Sequence, residues 1–432
     1  MRIRLPLYPI LVVLAALSLS GCDSGGGSKH AQVRLLNASP GYTSLDLYAN
    51  GEDDDTDQRR IAAVAYDAIS SYTEIESGTY NVKFKRAGVS STLQTLSGQQ
   101  LADDTHNTFI AFGSTGHFFA VQVSDDVTAP DNGLVKVQLL NAAEAGTLDI
   151  YLTESSVSLD DATPVFSSVT AGGTGALTTI DSGDYRLRVT AGSDSDDLRL
   201  DVPSITLDSR GVVTLILTAT QGGVLVNVLL LPQQGSVTKF ANTKARVRGA
   251  VGIANGTQVT LRVGNSNLLS NNAVGVVGAY AQVDAGSVAV ALGVNGVGVT
   301  VPNQTLTAGG EYTLLVWSNA DSTQTTLISD DNRLPSSTSK AKVRVMNGLS
   351  ALNVPVTMFV NFFPQAENIP LGQASAFAEV DDGTDYQLDV SNADTADPLL
   401  TKTEVTLQAS GVYTLFMSSS GGTISGTLRK DR

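Results

Sequence analysis

At 432 residues the chain is too long for one ordinary hydrophobic core and implies roughly two to four domains. Its 42% hydrophobic and 16% charged residues exclude both a disordered chain and a multi-spanning membrane protein, and Gly and β-branched residues outweigh helix-favouring runs, so the expected class is all-β. A formal charge of −15 repels phosphate backbones and argues against nucleic acid as a partner.

The first element is a targeting segment, in which Arg2 and Arg4 precede an apolar run from Pro9 to Leu19. That run is shorter than the ~20 residues a membrane-spanning helix needs. It ends in Leu19-Ser20-Gly21-Cys22, which resembles the lipobox of bacterial lipoproteins. The resemblance implies that residues 1–21 are removed and that Cys22 is acylated as the first mature residue. An ordinary signal peptide with a chance cysteine is the alternative. Cys22 is the only cysteine, so a disulfide within the chain is excluded. Burying acyl chains contributes ~0.8 kcal/mol per methylene, and two or three chains hold a protein on a membrane in effect permanently. Residues 22–31, with "DSGGGSKHA" after the cysteine, have the composition of a flexible tether. Loss of Arg2 and Arg4 leaves 25 basic against 42 acidic side chains, a formal charge of −17.

After the tether one plan repeats. An opening strand begins at Val33, Val137, Val247 and Val343, about a hundred residues apart, the span of one small β-sandwich. A second alternating strand follows 11 to 13 residues later as "LDLY", "LDIY", "VTLR" and "VTMF". Next come "IESGTYNVKF" at Ile75, "IDSGDYRLRV" at Ile180, "VDAGSVAVAL" at Val283 and "VDDGTDYQLDV" at Val380. Glycine accepts positive φ where a chain reverses, an acidic or Ser side chain can bond the turn's backbone, and the alternating run then enters a sheet. Tyr80, Tyr185 and Tyr386 follow the glycine, resembling the tyrosine corner of immunoglobulin-like domains, whose hydroxyl finds a backbone partner. Val288 stands there in the third copy, which therefore lacks that bond. Two further strands close each copy, such as "NTFIAFG" from Asn107 and "FFAVQVSDD" from Phe118. Period-two alternation throughout fits strands with one buried face.

Turn-rich segments at 128–133, 232–243 and 333–339 mark boundaries. The expected organisation is four tandem immunoglobulin-like β-sandwich domains at 32–130, 134–234, 243–335 and 340–432, sitting end to end with limited swing because the linkers are short. "VRLLNASPGYTSLDLYANG" followed by "IESGTYNVKF" resembles the bacterial domain of unknown function 4397, most strongly in the first copy and well in the second. The third and fourth copies match through strand spacing and the glycine turn. Asn37-Ala38-Ser39-Pro40 stands where that family often carries His, so a role attached to that His does not transfer. The resemblance implies an extracytoplasmic β-sandwich, often on lipoproteins, with no established reaction.

Candidate chemistry is sparse. Nucleophilic catalysis needs a base beside a nucleophile, and His30, His106 and His117 are the only histidines. There is no G-x-S-x-G elbow, and no His pair or second thiol to hold zinc. Asp53, Asp55 and Asp57 alternate as in a calcium loop, but Gln58 and Val64 occupy the positions where an EF-hand needs Gly and Glu. Asp194, Asp196 and Asp197, and the pairs Asp125-Asp126 and Asp330-Asp331, are read as solvated loops that keep sheet edges soluble, with calcium as the alternative. Between Arg262 and Glu311 only Asp284 is charged, so this Gly/Val-rich stretch either packs against the second or fourth domain or pairs with a partner chain. Trp317 lies on a core-type strand, where burial is its expected role.

No catalytic residue, metal ligand or cofactor-binding residue is assigned, and no cofactor is expected. The expected protein is a lipid-anchored, non-catalytic component of a bacterial cell envelope, facing the periplasm or exterior from Cys22 and acting as an interaction or scaffold module. Its expected partners are the membrane, through the lipid, and an envelope protein or polysaccharide. A ligand-binding lipoprotein, with glycan or calcium at the acidic loops, is the alternative.

Overall fold

A computed structural model describes residues 29–432 apart from 53, 55, 193, 254–256, 320, 321 and 421, and every regular element among the described residues is a β-strand. The first copy comprises β1 (His30–Asn37), β2 (Ser44–Gly51), β3 (Arg59–Ala65), β4 (Ala68–Ile69), β5 (Thr73–Glu76), β6 (Gly78–Arg86), β7 (Thr92–Leu101), β8 (His106–Ser114) and β9 (His117–Ser124). One sheet runs β4–β1–β8–β9 with β5 also on β1; the other runs β3–β2–β6–β7. β1 and β8 pair in parallel, from Gln32 opposite His106 to Asn37 opposite Ala111. A parallel pair cannot be joined by a hairpin. The chain therefore leaves the first sheet after β1 to build β2 and β3 of the second, returns to β1 at β4 and β5, crosses again for β6 and β7, and re-enters on the other side of β1 at β8.

This pair of sheets is built four times. The equivalents of β1 and β8 are Leu134–Ala142 with Val212–Ala219, Lys244–Val251 with Glu311–Ser318, and Lys340–Gly348 with Val412–Ser420, parallel in each case. Alternation places one set of side chains between the sheets. In the first copy Ala31, Val33 and Leu35 of β1 meet Leu45 and Leu47 of β2, Val82 and Phe84 of β6, and Phe109 of β8, all buried. Three further clusters, around Leu139 and Leu215, Val247 and Leu314, and Val343 and Leu415, fill the others.

The copies do not sit end to end. The opposite face of the β1–β8 sheet is also apolar, and it packs on the same face of the next copy. Leu36, Ile110 and Phe112 of the first copy meet Leu140, Ile216 and Leu229 of the second. Ala250, Leu315 and Ile328 of the third meet Met346 and Phe416 of the fourth. These sheets are buried on both sides, which is why their strands read as near-continuous apolar runs such as "VRLLN" and "VTLILT". Short linkers constrain distance but not direction, so the exposed apolar faces decide how the copies dock.

The recurrent turn behaves as expected at its tyrosines. The hydroxyls of Tyr80, Tyr185 and Tyr386 donate to the carbonyls of Glu76 (2.8 Å), Asp181 (2.7 Å) and Asp381 (2.9 Å), and Val288 in the third copy has no hydroxyl to give. Its glycines divide. Gly286 takes φ +104° and Gly183 φ +151°, whereas Gly78 and Gly383 keep ordinary φ. At Gly383 the reason is space, since a Cβ there would lie 3.1 Å from the Tyr386 ring. A second corner is visible only in three dimensions: the Tyr312 and Tyr413 hydroxyls accept the backbone N–H of Thr307 and Gln408, each at 3.0 Å.

Candidate functional site

The strand register aligns four positions on the docking face of each β1–β8 sheet. In the first copy they hold Arg34, Thr108, Asp125 and Tyr72. Arg34 Nε donates to Thr108 Oγ1 at 2.7 Å, Arg34 Nη2 lies 3.3 Å from Asp125, and the Tyr72 hydroxyl donates to Asp125 at 2.5 Å. The guanidinium lies over the Tyr72 ring, 4.6 Å from its centroid. In the third copy Arg248 Nε donates to Thr313 at 2.8 Å, while Thr313 and Tyr280 each donate to Asp330 at 2.7 Å. In the fourth, Arg344 Nε donates to Thr414 at 2.9 Å, Thr414 donates to Asp431 at 2.5 Å, and Phe377 takes the ring position. The second copy has Gln138 and Gln233 in place of the charged pair.

Between the third and fourth copies the ion pairs are exchanged. Arg248 Nη1 binds Asp431 at 2.6 Å, and Arg344 Nη2 binds Asp330. These side chains are at most 2% exposed. Between the first and second copies the corresponding bonds are largely neutral: Arg34 Nη1 donates to the Gly235 carbonyl at 2.6 Å, and Gln233 bonds both the N–H and the carbonyl of Val127.

The two docked pairs meet at a junction where Arg432 donates to the carbonyls of Gly223 (2.9 Å), Asn332 (3.0 Å) and Glu144. Gly222 adds a backbone bond to Gly309 at 2.9 Å. Clefts of about 520 and 630 Å³ open here, lined by residues from several copies. Their walls mix Lys342, Arg333 and Lys239 with Asp331, Glu311 and Glu379. Burial pushes the Glu311 carboxyl up while Arg246 pulls it back, and burial lowers the Lys342 ammonium against the pull of Asp331.

Cys22 lies outside the described residues, as do Asp53 and Asp55. Asp57 is not poised for a cation: Lys83 donates to it at 2.7 Å, and Lys85 and Asn50 also bond it. Asp197 pairs with Arg199 at 2.5 Å, and Asp194 bonds the Asp196 N–H at 3.1 Å. Reading the two Asp pairs as solvated loops is wrong for their first members, because Asp125 and Asp330 are buried ion-pair partners. Among the described residues no group of three or more His, Cys, Asp or Glu side chains could hold a metal. The three histidines lie against three different carboxylates: His30 near Glu74 (3.5 Å), His106 on Asp126 (3.1 Å) and His117 near Glu144 (3.5 Å).

The weakly charged third-copy stretch packs mainly inward, with Val276, Ala281, Val290 and Val294 against its own core. Val277 docks on the fourth copy, Gln282 bonds the Leu198 carbonyl of the second, and Val297 stays 69% exposed. Trp317 packs between the third and fourth copies rather than into the third core.

Strand alternation predicts neither the Arg–Asp exchange nor the Arg432 junction. A signal existed. Arg follows the opening Val in copies one, three and four, the same three copies end in an Asp at one register position, and both are missing from the second.

Among solved structures, the chain is similar to a family 26 carbohydrate-binding module from Eubacterium rectale Amy13K in complex with maltoheptaose, at 10% identity and a TM-score of 0.16, over 48% of this chain and 96% of that one. It is also similar to the BSP domain of a biofilm associated protein, at 9% identity and a TM-score of 0.12, over 89% and 91% of the respective chains. No curated protein matches. The family described as Domain of unknown function (DUF4397) matches residues 31–151 and 245–357, more than half of the sequence. The matches span the first and third copies and the opening strands of the second and fourth, so the third carries the family pattern more fully than the second, the reverse of the expected ranking, and the chain belongs to the DUF4397 family.

Proposed function

We propose that the chain is a lipid-anchored, non-catalytic protein of a bacterial cell envelope that acts as a scaffold or interaction module. On this reading Cys22 carries the lipid, residues 22–31 form the tether, and sandwiches at 32–130, 134–234, 243–335 and 340–432 form the displayed body. The observation that carries the scaffold role is the exchange of Arg248–Asp431 and Arg344–Asp330 between docked sheets. It fixes the third and fourth copies face to face, so that loops on different copies are held at set distances. Rigid display lowers the ordering cost of binding a large partner.

Two measurements test it. Cys22→Ser is expected to move the protein out of the membrane fraction or to leave the precursor uncleaved; wild-type fractionation of that variant removes the anchor. Cross-linking of the full chain in cells, followed by pull-down, is expected to recover a saturable envelope protein or polysaccharide. Turnover of a substrate by the purified chain would overturn the non-catalytic role.

A further inference from the structure

Between the second, third and fourth copies a cavity of about 330 Å³ is lined by Arg199, Arg246 and Arg432, one from each copy. Three guanidiniums around one small, partly buried space repel one another, and the repulsion grows as water is excluded. Their partners show how much of that charge is met. Arg246 Nη1 donates to Glu311 at 3.1 Å. Arg199 donates to Asp197 at 2.5 Å and to the Val224 carbonyl at 3.3 Å, while its Nε is buried with no partner among the described residues. Arg432 donates only to backbone carbonyls and has no carboxylate side chain at ion-pair distance among the described residues.

Of the acidic side chains on the wall, Asp431 accepts from Arg248 and Thr414, while Glu144 lies 3.5 Å from His117 and is near enough to act on the Arg432 charge without pairing with it. Burial pushes the Arg432 guanidinium down to about 10; Glu311 and Glu144 oppose that shift, and Arg199 and Arg246 add to it. Burial lowers Arg199 as well. A guanidinium with neutral partners only, beside a second with an unused donor, matches the planar, bidentate geometry of an oxyanion.

We propose that this cavity is a binding site for an oxyanion, a carboxylate, phosphate or sulfate group, held between Arg199 and Arg432 with Arg246 at its side. A group bound there touches three copies at once, so it ties the second to the third and fourth and stabilises the whole body by linkage. The site does not depend on membrane attachment.

The test titrates the purified full chain with inorganic phosphate and, separately, with galacturonate, at ionic strength held constant with sodium chloride. Calorimetry and thermal melting are the readouts. Saturable binding of either probe at one site per chain, with a rise in melting temperature, is expected. Phosphate binding assigns the site to phosphoryl or sulfate groups and galacturonate binding to carboxylates. Arg199→Gln and Arg432→Gln are each expected to weaken binding about tenfold or more, the scale of a lost charge-assisted pair. Glu144→Gln keeps all three arginines and removes a competing carboxylate, so it is expected to tighten binding even if an arginine variant fails to fold. Shifts no larger than sodium chloride alone produces, or binding unchanged in all three variants, overturn the proposal.

Discussion

Arg248 of the third copy binds Asp431 of the fourth at 2.6 Å, while Arg344 of the fourth binds Asp330 of the third, so equivalent positions trade partners across the docking face. Each arginine still reaches the threonine of its own copy, Thr313 or Thr414, and the exchange couples the two docked sheets rather than serving one. A buried pair gains little over well-packed apolar groups, but losing one side strands the other charge. Arg344→Met alone is therefore expected to cost about 3–5 kcal/mol, and Arg344→Met with Asp330→Asn, whose amide oxygen can still accept from Thr313 and Tyr280, to recover much of it. Urea unfolding of both variants decides. A double variant no more stable than the single one would mean that the exchange does not couple the copies.

The same face has a built-in reporter, because Trp317 is the sole tryptophan and packs between the third and fourth copies. Its Nε1 donates to Thr326 at 2.9 Å. Gly372, at φ +77°, has no room for a side chain, since a Cβ would lie 2.3 Å from the indole. Gly372→Ala combines backbone strain with overpacking, and a loss of about 1–3 kcal/mol is expected. Red-shifted tryptophan emission should accompany it as the indole is pushed toward water. A destabilised variant with unchanged emission would place the strain elsewhere.

Alternation made the interiors legible. Val33, Val137, Val247 and Val343 each point between two sheets, as period-two spacing requires. The docking faces were hidden by the same rule, which assigns the alternate side chains to water. Leu36, Leu140 and Leu315 break it by following an inward leucine directly, and that doubled apolar step marks a strand covered on both faces. Asp125 and Asp330 misled because an acidic residue at a strand end usually faces solvent, and only the register of β1 with β8 brings an arginine and a threonine to meet it. Arg432 carried no pattern at all. Its partners are backbone carbonyls of other copies, which sequence spacing does not encode.

The tyrosine corners give a ranking. A hydroxyl bond to backbone contributes about 0.5–1.5 kcal/mol net, and more where water cannot replace it. Tyr80 is buried, at 8% exposure, whereas Tyr185 and Tyr386 are half-buried. Tyr80→Phe is therefore expected to lower thermal stability more than Tyr185→Phe or Tyr386→Phe. Equal losses in all three would show that burial does not set the strength of the bond, and no loss in any would show that the ring, not the hydroxyl, does the holding.

Asp57 supplies a pH dependence whose sign follows from its neighbours. Lys83 at 2.7 Å, and then Lys85, hold its carboxyl well below the usual carboxylate range. A carboxylate with a depressed folded pKa binds fewer protons folded than unfolded, so its contribution is present above the unfolded value of about 3.9 and fades as pH falls through the folded one. The side chain is 31% exposed, and solvent screening moderates the effect. Lys85, however, is only 7% exposed and lies over the Tyr48 ring, so an uncharged residue at 57 strands a largely buried ammonium. Asp57→Asn is expected to be less stable than wild type near neutral pH, with the gap narrowing as pH drops below about 4. Urea midpoints measured across that range test it, and a gap that stays constant into strong acid would assign the loss to packing around Tyr48 instead of to charge.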